Sequence, residues 1–402
     1  MIKSSPDQGL LRLGQYFLWG IALVGAARLL RLHQRGGNDW ITGDWLINYA
    51  GGFIRRGLSG EVIMFLADIT GVSDTLTTGV FLAVLWLCVC LLTLRIWTMS
   101  QANFGRLALL LSPAFLAFDL WDFQGGARKE LAIFAVLAVM LGSKNLTARS
   151  SPAQWVWTCT FTALPPILIL AHELIAFTIP LTIVAFLLMA QEAQLSLDKR
   201  IFFISGIAIL SLISLLFVAN FSGTLVQRDE VCSELTSRGA AHSLCSGAIS
   251  WLGRSAEDAY SSVSLHASSP ETLVFFALAA GMSTVPFLYF RGQKLVGSIT
   301  PTMGLFIATL GLVPLFALGL DWGRWIHIGA TICTLIVLRF PEIFSPRPFA
   351  QLGILREELG TRLLVVLIFG FGWSVDHFGG GNILPGFIRV LKSTAAGAFL
   401  PG

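Results

Sequence analysis

Charged residues are scarce in this 402-residue chain. Asp, Glu, Lys and Arg make up 12% of the sequence, about half the share of a typical soluble domain, while 55% of the residues are hydrophobic. This balance excludes a soluble globular body and indicates that most of the chain has lipid as its solvent. The net charge of +4 is small, and no long basic run or nucleic-acid-binding motif occurs, which excludes nucleic acid as a partner.

Several other features are missing. The longest polar stretch, residues 221–270, is too short to form an independent soluble core without help. No signal-peptide cleavage pattern follows the first hydrophobic segment, so we expect that segment to remain as a membrane span. A DxD string and other divalent-metal motifs are absent, and we therefore expect no metal and no cofactor.

The long apolar runs predict an all-α, polytopic integral membrane protein with about 11 transmembrane helices. The predicted spans lie near residues 14–31, 77–95, 106–120, 130–143, 155–171, 173–190, 201–220, 271–290, 296–320, 323–340 and 362–379. The third and fourth spans are short and need tilt, burial or a hairpin arrangement. The run 155–190 is divided at His172, and one long span followed by a re-entrant helix is the alternative.

Basic residues predict the orientation of these spans. With the N-terminus in the cytoplasm, every inner loop carries a basic pair or better, as the positive-inside rule requires. We predict a single membrane domain over residues 1–402, with an interfacial helix in the first outer loop. The outer segments are then the loops 31–75, 119–130 and 221–270 and the C-terminal tail 380–402.

The first outer loop contains the string GDWLINYAGGFIRRGLSGE, residues 43–61. It is too polar to cross a bilayer, yet it is rich in aromatic and aliphatic side chains around Asp44 and the pair Arg55 and Arg56. Beside a membrane, this combination predicts a site for an anionic and partly apolar ligand. The alternative is an interfacial helix whose arginines contact lipid headgroups.

Three further polar strings are predicted to reach the same face of the membrane. Each also has a structural explanation: a snorkelling helix start, a buried carboxylate that holds an arginine or a helix end, and an ion pair on one helix face. In chain order these strings supply Arg128 with Lys129, His172 with Glu173, and Asp321 with Trp322 and Arg324.

Together the strings predict the chemistry of a transferase that takes a sugar from a polyprenyl phosphate or diphosphate. Arginines bind phosphate oxygens through paired donors, and tryptophans suit sugar rings or a lipid tail at the interface. Asp44 is the first candidate for the general base and Glu173 the second, with His172 as an orienting partner. The predicted phosphate- and substrate-binding residues are Arg55, Arg56, Arg128, Lys129, Asp321, Arg324, Trp45 and Trp322.

This layout resembles bacterial polytopic membrane glycosyltransferases that use lipid-linked sugars, of the GT-C-like O-antigen and exopolysaccharide polymerase type. The resemblance covers the many short spans and the strings 44–56, 119–130, 172–173 and 321–324. It implies that an outer-loop acid is the base and that arginines hold the carrier phosphates. The first loop lacks the paired acids common in lipid-phosphate-sugar transferases, which leaves the choice of catalytic acid open.

The function that this resemblance implies is polysaccharide biosynthesis at the outer face of the bacterial cytoplasmic membrane. The expected partners are a polyprenyl-(di)phosphate-linked glycan, membrane lipid and proteins of envelope biosynthesis. A transporter or flippase of a lipid-linked or anionic solute is the first alternative. A non-catalytic membrane subunit of an envelope complex is the second.

The six cysteines are of two kinds. Four lie inside apolar runs, where cysteine behaves as a small hydrophobic residue. Cys232 and Cys245 share the longest polar loop, and their placement outside the membrane predicts a disulfide bond between them.

Overall fold

The computed structural model describes residues 6–122, 124–143, 152–254, 256–292, 300–346 and 359–378. In these residues the protein is mostly helical, which confirms the predicted all-α class. Two strands of three residues each, β1 (Phe290–Gly292) and β2 (Phe344–Pro346), pair antiparallel.

The helices of the described residues follow one another along the chain. In order, they are α1 (Pro6–Gln34), α2 (Ile41–Trp45), α3 (Leu58–Thr70), α4 (Asp74–Met99), α5 (Phe104–Leu111), α6 (Phe118–Trp121), α7 (Glu130–Gly142), α8 (Pro152–Ala171), α9 (Ile179–Glu192), α10 (Leu197–Ala219), α11 (Leu225–Ser237), α12 (Ala256–Ala267), α13 (Pro270–Leu288), α14 (Pro301–Thr309), α15 (Leu315–Leu318), α16 (Trp322–Arg339) and α17 (Leu359–Phe371). Short 3-10 helices cover Glu173–Thr178, His242–Cys245, Ala248–Trp251 and Leu310–Leu312.

The chain forms two compact units. Unit 1 is made of residues 1–22, 90–126 and 263–402, and unit 2 of residues 23–89 and 127–262. The prediction of a single membrane domain with three outer loops stays a prediction. The predicted outer tail, 380–402, lies outside the described residues.

Seven segments of the described chain are long and apolar enough to cross a membrane. They are Gln8–Gln34, Asp74–Met99, Pro152–Ala171, Glu173–Glu192, Leu197–Ala219, Pro270–Leu288 and Pro301–Leu318. All seven coincide with predicted spans. At the other four predicted spans the structure has shorter or more polar helices, α5 with α6, α7, α16 and α17, so the number 11 stays a prediction.

The long apolar run 155–190 breaks where the sequence predicts. Helix α8 ends at Ala171, and His172 adopts an extended backbone in which its Nδ1 accepts a hydrogen bond from the Leu174 N–H (3.2 Å). A 3-10 turn follows before α9 begins. The boundary arises because the imidazole caps the new helix start in place of continuing the old one.

In unit 2, α9 and α10 share a core that includes Ile179, Phe186, Phe203 and Ile207. The opposite face of α10 exposes a stripe of aliphatic side chains. Such an apolar face is stable only against hydrocarbon, which agrees with α10 as a membrane span. The exposed members are Ile209, Leu210, Leu212, Ile213 and Leu216.

The first loop contains two helices, and the interfacial position predicted for a helix there stays a prediction. Helix α2 is wholly buried, whereas α3 exposes Val62, Phe65 and Ile69 along one face. The Arg55-Arg56 pair lies in the turn that precedes α3. Arg56 adopts a left-handed backbone there, with φ of 71°, which turns its carbonyl and its side chain toward different partners.

Candidate anion-binding site

Unit 2 brings most of the predicted site residues into one cluster of charged side chains. Four segments contribute: α2, the turn before α3, the residues that lead into α7, and the 3-10 turn after α8. We call this group the cationic cluster, and its members are Asp44, Arg55, Arg56, Arg128, Lys129, His172 and Glu173.

Asp44 forms the buried end of the cationic cluster. Its side chain is inaccessible, Arg128 Nε donates to Oδ2 (3.2 Å), and Lys129 Nζ lies 3.6 Å from Oδ1. Burial raises the pKa of Asp44, but the attraction of Lys129 and Arg128 outweighs it and holds the pKa well below the usual range. Asp44 therefore remains an anion and fixes two cations in place.

Lys129 joins this buried end to the turn before α3. The side chain is fully buried, and Nζ donates a hydrogen bond to the backbone carbonyl of Arg56 (2.8 Å). Burial lowers the pKa of Lys129 to about 8, although Asp44 acts in the opposite direction. The ammonium group is thus close to losing its proton at mildly alkaline pH.

Glu173 forms the accessible end of the cationic cluster. Arg56 Nε lies 3.0 and 2.9 Å from the two carboxylate oxygens, and Arg56 Nη2 also donates to Oε1. Arg55 Nη1 lies 3.6 Å from Oε1, and His172 Nδ1 lies 3.6 Å from Oε2. Glu173 therefore holds an arginine, which is the structural role left open by the sequence.

Positive charge is in excess within the cationic cluster. Four basic side chains face two carboxylates, which leaves a surplus of two positive charges while His172 is neutral. Burial, followed by the neighbouring Arg56, lowers the pKa of Arg55. Arg55 Nε is buried and has no hydrogen-bond partner among the described residues. A buried donor without a partner and a local excess of basic side chains together suit an anionic ligand.

Among the described residues, the accessible side chains of the cationic cluster lie at one end. The side chains of Arg55, Arg56 and Glu173 are 28%, 22% and 19% exposed, whereas those of Asp44 and Lys129 are inaccessible. An incoming anion would therefore meet the arginine pair first. Arg128 and Lys129 contribute positive charge at the buried end of the cluster.

A family model described as "Uncharacterised membrane protein Rv1490" matches residues 20–250. The chain belongs to this family. The matched segment is more than half of the chain and includes every member of the cationic cluster. No curated protein and no solved structure matches the chain. Membership in the Rv1490 family thus supports a multi-pass membrane protein.

Trp45 has a structural position in this member of the Rv1490 family. It is buried, and its Nε1 donates to the backbone carbonyl of Ala127 (3.1 Å), next to Arg128. The aromatic ring that contacts a cluster cation is that of Trp40, 5.8 Å from the Arg128 guanidinium carbon. Trp45 therefore fixes the backbone under the cluster, while Trp40 packs against one of its cations.

The sequence offered a signal for one supporting residue outside the predicted set. Thr224 and Gln227 form a capping box at the start of α11, which is recognisable as a T-x-x-Q pattern. Gln227 Nε2 also donates to the backbone carbonyls of Gly51 (3.2 Å) and Phe53 (3.3 Å). It therefore holds the segment that leads to the arginine pair.

Asp321, Trp322 and Arg324 belong to unit 1 and lie at the start of α16. Arg324 Nη1 donates to Asp321 Oδ2 (2.8 Å), which is the ion pair on one helix face that the sequence allowed. Trp322 Nε1 donates to the backbone carbonyl of Gly319 (3.0 Å). Their predicted role in substrate binding stays a prediction.

Cys232 and Cys245 are joined by a disulfide in the structure. His242 Nδ1 lies 3.7 Å from Cys232 Sγ, so three metal-ligand atoms lie within 4.8 Å of one another. Thiolates bind metal, and both sulfurs are committed to the disulfide here. In this state the group offers a single imidazole, which is too few ligands for a protein metal site.

Proposed function

We propose that this protein is a membrane glycosyltransferase that binds a polyprenyl-phosphate- or diphosphate-linked sugar at the cationic cluster. The supporting observation is the surplus of two positive charges around Arg55, Arg56, Arg128 and Lys129. Charges that are removed from water interact strongly with a ligand of opposite sign. A phosphate group supplies two or more oxygens for the paired donors of arginine.

Glu173 is the better placed of the two candidate bases. Asp44 is inaccessible and is held by Arg128 and Lys129, so a substrate hydroxyl does not reach it in this arrangement. Glu173 is partly accessible, and Arg56 and Arg55 restrain it. A carrier phosphate that competes for both arginines would release the carboxylate beside the bound sugar.

The reaction then follows from these positions. The acceptor hydroxyl transfers its proton to Glu173 while its oxygen forms a bond to the anomeric carbon of the sugar. The bond from that carbon to the carrier phosphate oxygen breaks, and the phosphate departs with the electron pair. The arginines and Lys129 stabilise the charge that develops on this leaving group. His172 acts on this carboxylate through the backbone instead, because its Nδ1, 3.6 Å from Glu173 Oε2, accepts the Leu174 N–H and has no proton to donate to Glu173.

Transport of a lipid-linked or anionic solute is the second candidate. The observation that favours it is that both carboxylates of the cationic cluster are ion-paired, which describes a binding site without a free base. A transporter and a transferase share the anion site. They differ in whether removal of the Glu173 carboxylate abolishes product formation while binding persists.

The first test measures lipid binding. We expect purified protein in nanodiscs to bind a polyprenyl diphosphate more tightly than the matching polyprenol. Arg56→Gln should weaken diphosphate binding about tenfold to a hundredfold, the value of a charge-assisted contact. Arg254→Gln is the matched control, because Arg254 is an exposed arginine of unit 2 that stacks on Trp251. An equal loss of diphosphate affinity in both variants would indicate that Arg56 only contacts lipid headgroups.

The second test measures chemistry. Deletion of the gene should cause one lipid-linked glycan intermediate to accumulate, and wild-type protein should restore its consumption. Glu173→Gln should bind the carrier and fail to restore turnover. Full restoration by a well-folded Glu173→Gln protein would leave transport or a non-catalytic role in an envelope complex as the function.

A further inference from the structure

Unit 1 contains a cavity of about 210 Å³ between α13, the segment from α14 to α15, and α16. The described residues that line it are mostly apolar, and none of them carries a charged side chain. An apolar cavity of about 150 Å³ stays free of water and binds small hydrocarbons. The unit 1 cavity exceeds that size and suits a segment of a chain.

Two polar side chains of this lining are left without a partner among the described residues, whereas the hydroxyls of Ser283, Thr284 and Thr309 donate to backbone carbonyls of their own helices. Thr302 Oγ1 and Trp325 Nε1 are both buried, and neither has a hydrogen-bond partner within the described part of the chain. Trp325 is only 6% exposed, so water does not serve its N–H from outside. A buried donor without a partner destabilises the protein, and a hydrogen bond to a ligand oxygen would remove that cost.

The cavity borders the surface that faces lipid. Phe306 lines it and is also 39% exposed, and its neighbours Met303, Ile307 and Leu310 on the same segment are exposed aliphatic side chains. Exposed apolar side chains on a membrane span contact acyl chains. A ligand therefore has a short route past Phe306 from the bilayer.

From these observations we propose that the unit 1 cavity binds a segment of a lipid chain that carries one uncharged oxygen acceptor beside its apolar part. The oxygen accepts hydrogen bonds from Trp325 Nε1 and Thr302 Oγ1, and the chain fills the space against α13 and α16. The absence of cationic side chains from the lining keeps a phosphate out of this site. The inference is independent of the cationic cluster in unit 2.

Two lipids share this chemistry: the ester end of a phospholipid acyl chain and the alcohol end of an isoprenoid. The experiment uses full-length protein in nanodiscs with photoreactive diazirine probes. One pair is a long-chain alcohol and the alkane of equal length, and the second pair is an acyl ester and an isoprenoid alcohol. Mass spectrometry of the labelled peptides reports the site.

We expect the alcohol to label α14 and α16 more strongly than the alkane does. The double variant Trp325→Phe with Thr302→Val should reduce alcohol labelling about fivefold, the value of a neutral hydrogen bond, and leave alkane labelling unchanged. Ala330→Phe, which fills the cavity, should reduce both. Leu278→Phe, on the exposed face of α13, is the size-matched control and should change neither.

Equal labelling by the alcohol and the alkane in the wild type would overturn the proposal, since it would show nonspecific hydrocarbon contact. Unchanged alcohol labelling in the Trp325→Phe, Thr302→Val protein would overturn it as well. If Ala330→Phe does not fold, the double variant still decides the matter. Preference for the acyl ester or for the isoprenoid alcohol supports the site and names its source.

Discussion

At the scale of single residues, Asp44 and Glu173 differ in the way that decides their roles. Both are carboxylates that pair with arginine, but Asp44 is inaccessible and bonded to Arg128, while Glu173 lies at the open end of the cationic cluster. Asp44 therefore acts by holding Arg128 and Lys129 in position. Glu173 is accessible to a ligand that enters the cationic cluster.

The prediction for Asp44 follows from its burial. Asp44→Asn leaves Arg128 and Lys129 buried without their counter-ion, and the loss of one partner of a buried pair costs about 3–5 kcal/mol. We expect a lower melting temperature that added pyrophosphate partly restores. Normal stability with carrier binding intact and turnover reduced about 10²–10⁴-fold would instead identify Asp44 as the general base.

Lys129 gives the cationic cluster a pH dependence. Its pKa is about 8 in the folded protein against an ordinary value of 10.5, so the unfolded chain binds more protons between these values. The free energy of unfolding therefore gains a contribution that rises with pH over this window. The affinity for an anion changes in the opposite direction and falls as pH rises, because Lys129 loses its charge as pH rises past about 8.

We expect the affinity for pyrophosphate to fall about tenfold between pH 7 and pH 9.5, the value of one charge-assisted contact. The charged groups that face Lys129 are Asp44, Arg56, Glu173 and Arg128. Calorimetry on Lys129→Met should show a low affinity for pyrophosphate that does not fall between pH 7 and pH 9.5. A tenfold fall in that variant as well would assign the titration to another group.

Part of this site was predictable from the sequence, because ionisable residues beside apolar runs are costly and therefore conspicuous. The partners of each residue were not. Asp44 and Arg128 are 84 positions apart, and Arg56 and Glu173 are 117 apart, and no local pattern encodes such pairs. The surplus of positive charge becomes visible only when these four segments meet.

At the scale of elements, the segment 225–252 acts as a brace for the segment that carries Asp44. Gln227 holds the carbonyls of Gly51 and Phe53, and Ala248 N donates to the carbonyl of Asp39 (3.1 Å). The Cys232–Cys245 disulfide fixes α11 against the 3-10 helix that follows it. The sequence predicted the cysteine pair, but the element that it braces depends on contacts between distant segments.

The disulfide prediction concerns this brace. Closing a loop of this length contributes about 3 kcal/mol. We therefore expect Cys232→Ser to lower the free energy of unfolding by roughly this amount and to raise protease sensitivity within 39–55. Cys159→Ser, at an exposed free cysteine, is the control and should change neither. Complete thiol labelling of Cys232 and Cys245 in unreduced protein would contradict the bond.

At the scale of the whole molecule, one ion-pair network constrains how many times the chain crosses the membrane. Arg238 binds both Asp74 and Asp68 within unit 2, so these residues lie on the same side. The chain between Asp68 and Arg238 must then cross an even number of times. Four candidate spans lie in that interval, which satisfies this condition.

The network also links two short segments whose length does not decide whether they cross the membrane. Helix α7 has 13 residues, and the predicted span 106–120 is broken into α5 and α6. If one of these crosses the membrane, the other must cross as well, because a single extra crossing would separate Asp68 from Arg238. Length and hydropathy could not supply this rule, since it comes from a contact between residues 170 positions apart.

The last prediction combines this rule with the basic residues of the loops. We expect alkaline phosphatase fused at Asp68 or at Ala240 to be active, and fusions at Lys144 or Lys199 to be inactive, because inner loops carry the basic pairs. Opposite activities at Asp68 and Ala240 would contradict the Arg238 network itself. The reverse pattern at all four positions would be consistent with the Arg238 network but would show the opposite orientation of the protein in the membrane. The open end of the cationic cluster would then face the cytoplasm, where it could not use a sugar carrier displayed on the outer face.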